Sequence, residues 1–280
     1  MGFFYPWNHI VWPTQELTNA ALHHKNYLIS DSVGVILPVK LYVMDAIKQG
    51  ILPLWNPYIL NGTSLLGNTQ AAVLYPFNLL YMIMPYAWAY TLYVLAQIVL
   101  SLLFMYGFLR KIGMRIIVSI FGAVSFAFSA YIIVWLTLGT LAHAYMWIPF
   151  VLWCFEHYTH SKNKAYFVGI VAGLTLSLLA GHMQTAVFAY LAFFIWVAAT
   201  SIQKTLRANI VIFFSAVLLS IGISAVALIP AYETYTQSVR GSFVKEDFFA
   251  AESLNADSFI QALAPDFFGN PVTRKLVGKN

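Results

Sequence analysis

IIVSIFGAVSFAFSAYIIVWLTLGTLAHAYMWIPFVLWCF, residues 116–155, is a run of 40 residues between Arg115 and Glu156 without a single Asp, Glu, Lys or Arg. A helix that crosses a bilayer needs about 20 consecutive apolar residues. The run is therefore long enough for two crossings and the turn between them. The same reading extends along the chain in both directions. Lys164 and Lys204 bracket 39 uncharged residues, two more crossings with a turn near Gly181-His182, and Arg207 and Glu233 bracket 25, one crossing. Lys48 and Arg110 bracket 61 uncharged residues, but Pro53, Pro57, Pro76 and Pro85, with several asparagines, break the first part of that stretch. Only Ala87 to Leu109 reads there as a clean spanning helix. Six spans are expected, at roughly 87–109, 116–135, 143–158, 165–180, 184–200 and 209–230. The expected fold is an all-α, polytopic transmembrane helix bundle.

Composition points the same way. Hydrophobic residues make up 60% of the 280, charged residues 9%, and the mean hydropathy is +0.74. Soluble domains carry about 25% charged residues, so 15 Lys+Arg and 10 Asp+Glu would not coat a soluble surface of this size. The net charge of +5 does not indicate a nucleic-acid partner, because the basic residues do not gather on one surface. Cys154 is the only cysteine, which excludes an intramolecular disulfide and a cysteine metal site.

The basic residues set the orientation. Arg110, Lys111 and Arg115 lie in the first short loop, Lys162 and Lys164 in the third, Lys204 and Arg207 in the fifth. The intervening loops, around 136–142 and 181–183, are uncharged. Cytoplasmic loops carry the excess of Lys and Arg. The long segments 1–86 and 231–280 are then extracytoplasmic, flanking a helix bundle over 87–230, and they hold nine of the ten acidic residues. The start, MGFFYPWNHIVWP, is aromatic, uncharged and interrupted by two prolines, unlike a secretory signal. A chain that begins outside without a leader, and stops in an outer segment at KLVGKN, is expected to be a fragment.

Polar residues collect on the outer side. Ser30-Asp31-Ser32 precedes Leu37-Pro38-Val39-Lys40, and the pattern Leu41, Met44, Ile47 predicts a short helix with Asp45 and Lys48 on its polar face. The block GILPLWNPYILNGTSLLGNTQAAVLYPFNLLY (50–81) follows, and its Pro and Gly punctuation predicts short helices and turns. Its Trp and Tyr suit the headgroup level.

This block, with AGHMQTAVFAYL at 180–191, LIPAYETYTQSVR at 228–240 and LAPDFFG at 263–269, resembles the YfhO family of bacterial membrane proteins. That family belongs to the GT-C class of membrane glycosyltransferases. The resemblance implies sugar transfer on the outer membrane face, from a polyprenyl-phosphate-linked donor to a cell-envelope acceptor such as teichoic acid or another surface glycopolymer. It also implies an essential acidic residue in the first outer loop, and Asp31 is the matching position.

Such a displacement needs a carboxylate to take the acceptor's proton, or to hold a metal that does related work. It also needs cations or hydrogen-bond donors at the departing phosphate. Asp31 is expected to be the catalytic carboxylate. Lys40, His182 and Arg240 are expected at the donor phosphate, and Asn56, His143, Gln184 and Glu233 around the substrate. Each has a plainer reading. Asp31 between two serines can cap a helix, Lys40 can snorkel to the headgroups, and Glu233 with Arg240, seven residues apart, can form a local ion pair. Asp45 is the rival carboxylate. Two histidines on different loops are compatible with a divalent metal, but no ligand spacing supports one, so no cofactor is assigned. Gly169-x-x-x-Gly173 is a helix-packing motif.

Two other functions compete. A transporter or flippase of lipid-linked sugars would place ionisable residues at mid-bilayer or break helices there, whereas these spans are nearly free of charge. A non-catalytic envelope-assembly subunit is the third reading.

The orientation is testable by labelling intact cells with a membrane-impermeant thiol reagent. Cysteines placed at Thr14, Met183 and Ser253 should react, and one at Asn163 should not; the opposite pattern would invert the topology.

Overall fold

The computed structural model describes residues 31–59, 61–201 and 203–238, together with 259–260, 263–264, 267, 269–270 and 275–276. The chain forms two compact units, one of Pro38–Thr234 and one of Met1–Leu37 with Tyr235–Asn280. In the second of these, Asp31 precedes a π-helical turn over Ser32–Ile36, and Gly269–Asn270 pairs antiparallel with Lys275–Leu276.

The membrane unit opens with α1 (Leu37–Lys48), whose Pro38 sits in the first turn, where a missing N–H costs nothing. The helix buries Val39, Lys40, Val43, Met44 and Ala46 and leaves Asp45 and Lys48 exposed, the polar face that the pattern predicts. The next stretch is not a span. Trp55–Asn56 (β1) pairs with Thr63–Ser64 (β2), and 3₁₀ turns follow at Thr69–Ala71 and Pro76–Leu79, leading to a single turn, α2 (Leu80–Ile83). Backbone this irregular leaves polar groups that hydrocarbon cannot satisfy, so it has to lie against protein or water.

Among the described residues, α3 (Tyr86–Lys111) is the first long apolar helix. α4 (Ile116–Ala127) and α5 (Ala130–Trp135) follow, then α6 (Leu141–Tyr145), α7 (Trp147–Ser161), α8 (Lys164–Leu179), α9 (Met183–Thr200) and α10 (Gln203–Gln237). Among the described residues, four helical segments are long and apolar enough to cross a membrane: Tyr86–Lys111, Ile116–Trp135, Met183–Thr200 and Thr205–Gln237. Between 22% and 28% of each apolar window is buried against the rest of the chain, which leaves most of it to face lipid. The protein is an all-α, multi-pass membrane protein.

Two of the six expected spans differ. The expected 143–158 and 165–180 correspond to α7, with 15 residues, and α8, with 16. At 1.5 Å per residue these helices are about 22–24 Å long, short of a hydrocarbon core of about 30 Å. They are the buried pair of the bundle. A Cβ on Gly169 would lie 2.7 Å from Cys154 Sγ, and one on Gly173 2.7 Å from Val151 Cγ2, so the two glycines let α7 and α8 approach closely. Phe155 of α7 packs edge-on against Phe193 of α9, which in turn meets Phe213 of α10. Glu156 Oε1 accepts a 2.7 Å bond from Trp196 Nε1, joining α7 to α9. The last helix also runs past the expected boundary at 230 and carries Pro230 in its interior.

Gly181 ends α8 with φ +103°, and a Cβ there would meet the Thr69 carbonyl oxygen at 2.7 Å. Both conditions exclude a side chain. Gly181→Ala should destabilise the protein by about 1–3 kcal/mol, read as a lower thermal midpoint in detergent, while Gly113→Ala, whose Cβ meets nothing within 4 Å, loses only the backbone preference.

Candidate functional site

Several of the polar side chains that the bundle buries form a connected cluster. Lys40 of α1 is 2% exposed, and its hydrogen-bond partners among the described residues are neutral. Its Nζ donates to Asn78 Oδ1 (3.1 Å) and to the Tyr93 hydroxyl (2.7 Å), and lies 4.0 Å from the centre of the Tyr93 ring. Asn78 is itself held, because its Nδ2 donates to the Ala72 carbonyl at 2.6 Å. That carbonyl belongs to a left-handed residue, Ala72 with φ +49°, which closes the 3₁₀ turn after Thr69.

His143 of α6 continues the cluster, and its proton position follows from its partners. Nε2 faces the Tyr93 backbone carbonyl at 2.9 Å; a carbonyl only accepts, so Nε2 carries the hydrogen. Nδ1 then accepts from the Tyr75 hydroxyl at 2.8 Å, and the Tyr75 oxygen accepts from Trp147 Nε1 at 3.2 Å. The chain Trp147 → Tyr75 → His143 → Tyr93 carbonyl is directional and complete. His143 is fully buried and both ring nitrogens are in use. Ser177 Oγ donates to the Ala144 carbonyl at 2.8 Å, which ties α8 to the same point.

His182 sits apart from this chain at the start of α9. Its Nδ1 accepts from the Thr185 backbone N–H at 3.2 Å and from the Thr185 hydroxyl at 2.7 Å, and Tyr131 meets that hydroxyl in turn. An acceptor Nδ1 fixes the same tautomer as in His143, so Nε2–H is the ring's remaining donor, on a half-buried side chain. Burial also lowers the His182 pKa, which favours this neutral form. The turn touches the Thr69–Ala72 loop through Gly181, which places His182 at the same end of the bundle as Lys40.

Asp31 is exposed at the start of the π-helical turn, makes no capping bond and belongs to the smaller unit. Asn56 is buried, and its Oδ1 accepts from the Tyr58 N–H at 3.0 Å. Gln184 is exposed in the first turn of α9, and Glu233 is exposed near the end of α10. Arg240 lies outside the described residues. Among the described residues, no three of His, Cys, Asp and Glu come together as metal ligands would.

Sequence reasoning missed Tyr75, Asn78, Tyr93 and Trp147. A signal was present for Tyr93: Ala89, Tyr93, Gln97 and Ser101 recur every four residues along an otherwise apolar span, and all four are buried. Polar side chains at that spacing share one helix face, turned to the protein interior.

These features define a multi-pass helical membrane protein with a hydrogen-bonded polar cluster buried at one end of its bundle. The family described as bacterial membrane protein YfhO matches residues 71–270, and the chain belongs to that family. No curated protein and no solved structure matches the chain.

Burial holds the Lys40 ammonium well below the ordinary lysine range, at about 7 against 10.5. Between those values the unfolded chain binds the extra proton, so Lys40 makes stability rise with pH. The stability of the wild type minus that of Lys40→Met should climb by up to about 1.4 kcal/mol per pH unit from pH 7 to 10. Thermal unfolding in detergent at each pH measures this; a pH-independent difference would mean that the buried amine does not titrate there.

Proposed function

We propose that the protein is an integral glycosyltransferase of the cell membrane. It transfers a sugar from a polyprenyl-phosphate-linked donor to a cell-envelope acceptor on the outer face. The observation that carries this reading is membership of the YfhO family together with the one-ended distribution of polar groups. The Lys40 cluster and the His182 turn sit at one end of the bundle, while all seven basic residues of the short loops belong to the other connections. Chemistry at one face needs this asymmetry; alternating access does not.

In the proposed reaction the acceptor hydroxyl attacks the anomeric carbon as the bond from that carbon to the phosphate oxygen breaks. Asp31, an exposed carboxylate, takes the hydroxyl proton. The polyprenyl phosphate leaves with the bonding pair, and His182 Nε2–H and Arg240 stabilise its charge. The Lys40 ammonium is committed to Asn78 and Tyr93, so its part is to hold the neighbouring loop in place behind the phosphate. In this reading Gln184 and Glu233, both exposed, bind sugar or acceptor hydroxyls.

Membranes containing the protein, incubated with radiolabelled polyprenyl-phosphate sugars and isolated envelope polymers, test the reading. Asp31→Asn cannot accept a proton and should lower transfer about 10²–10⁴-fold without loss of donor binding. Near-normal transfer by Asp31→Asn, with loss in Asp45→Asn, would move the role to Asp45.

A further inference from the structure

α3 runs from the Lys40 cluster, at Tyr93, to Lys111, 18 residues further on and about 27 Å away at 1.5 Å per residue. At that far end it lies against α7, where a Cβ on Gly107 would come 2.8 Å from Trp153 Cε2. One turn beyond this contact, Lys111 on α3 and His157 on α7 reach the same level. The His157 ring stacks on Tyr166, near the start of α8, with centres 4.6 Å apart and planes 17° apart. The charges of Lys111 and His160 both act on His157. The ends of three helices therefore meet around one imidazole.

The charge at this junction has one sign. Residues 110–115 and 157–164 contain Arg110, Lys111, Arg115, Lys162 and Lys164, with His157 and His160, and no Asp or Glu. Lys111 and His157 are half-buried, and the other five are exposed. Arg110 is partly committed, because its Nη1 donates to the Met114 carbonyl at 2.5 Å. Glu156 precedes His157 in the chain, but its Oε1 accepts from Trp196 instead. Like charges brought together repel. Packing of Gly107 on Trp153 and of His157 on Tyr166 holds them, and an anion from outside the chain relieves the repulsion.

The surroundings select the carrier of that anion. Met114, Ile116 and Ile117 are exposed directly beside Arg115, and Val168 is exposed one turn after Lys164. Ile116 opens a segment long and apolar enough to cross the bilayer, so its exposed side chains face acyl chains. The cations thus sit at the level where hydrocarbon gives way to headgroups. A phosphate carried on acyl chains meets the apolar and the charged surface together, whereas a soluble polyanion meets only the charges.

We infer that the joined ends of α3, α7 and α8 bind the phosphate of an anionic phospholipid, such as phosphatidylglycerol, in the leaflet they face. By the charge bias of the short loops that leaflet is the cytoplasmic one. Lys111, Lys162 and Lys164 supply the charge, and the exposed start of α4 lies along the acyl chains. Each Lys or Arg at such a surface strengthens attraction to anionic lipid about fivefold. The inference does not rest on sugar transfer, whose proposed groups lie at the opposite end of the bundle.

The test titrates the purified, delipidated protein in non-ionic detergent with phosphatidylglycerol or phosphatidylcholine of identical acyl chains, and native mass spectrometry counts the lipids retained. Phosphatidylglycerol should bind roughly tenfold more tightly or better. Lys111→Gln and Lys162→Gln should each weaken it about fivefold and leave phosphatidylcholine unchanged. Arg207→Gln, an exposed cation of the fifth short loop, should change it by less than about twofold. Equal affinity for the two lipids, indifference to both lysine substitutions, or an equal loss from Arg207→Gln overturns the proposal. So does displacement of the lipid by inorganic phosphate at a concentration where chloride has no effect, which would make a soluble anion the occupant.

Discussion

Tyr93 receives a hydrogen bond on each of its two oxygens, from the Lys40 ammonium on the phenol and from His143 on the backbone carbonyl. These two contacts join α1, the first long membrane helix and α6. Each partner is anchored on its far side, Lys40 by Asn78 and His143 by Tyr75. A Cβ on Gly139 would lie 2.7 Å from the Tyr93 ring, so the turn before α6 also closes on this side chain. Removing one member would leave several buried donors or acceptors unpaired, and in a low-dielectric interior each is expensive. The irregular stretch between α1 and α3 has little regular secondary structure to hold it, and this cluster supplies the missing order.

The bilayer imposes the second constraint. Away from the cluster, the bundle consists of helices because hydrocarbon offers no partner for backbone groups. Close packing then replaces hydrophobic sorting, since lipid is as apolar as leucine. The glycines on α8 against α7, and the Phe155–Phe193–Phe213 series, are that packing. Short α7 and α8 can be less than membrane-long because neighbouring helices cover them. The long helices face lipid, and their exposed isoleucines and phenylalanines need no protein partner.

The functional reading draws on both constraints. One end of the bundle concentrates neutral and weakly charged donors, and the connections at the other end carry the basic residues. His182 illustrates how folding adjusts chemistry. As a free histidine it would be a base near neutral pH, but capping α9 uses its lone pair and leaves only a donor. The residue expected from sequence at the donor phosphate is thus, in the fold, a neutral hydrogen-bond donor at a helix start.

Helix class, the long spans at 87–109, 116–135, 184–200 and 209–230, the polar face of α1, the close packing at Gly169 and Gly173, and the family were all legible in the amino-acid sequence. These are local properties: the length of an uncharged run, or a spacing within two turns of helix, is written in consecutive residues. The buried status of α7 and α8 and the Lys40 cluster were not legible. The bonds that build the cluster join residues 38 to 72 positions apart. No periodicity encodes such pairings. The sequence puts Lys40 at the donor phosphate, with a snorkelling lysine as the plainer reading, because a charge beside an interfacial block normally reaches water. Only the tertiary structure brings Asn78 and Tyr93 to it, and two neutral acceptors with an aromatic face let the amine stay buried without a carboxylate.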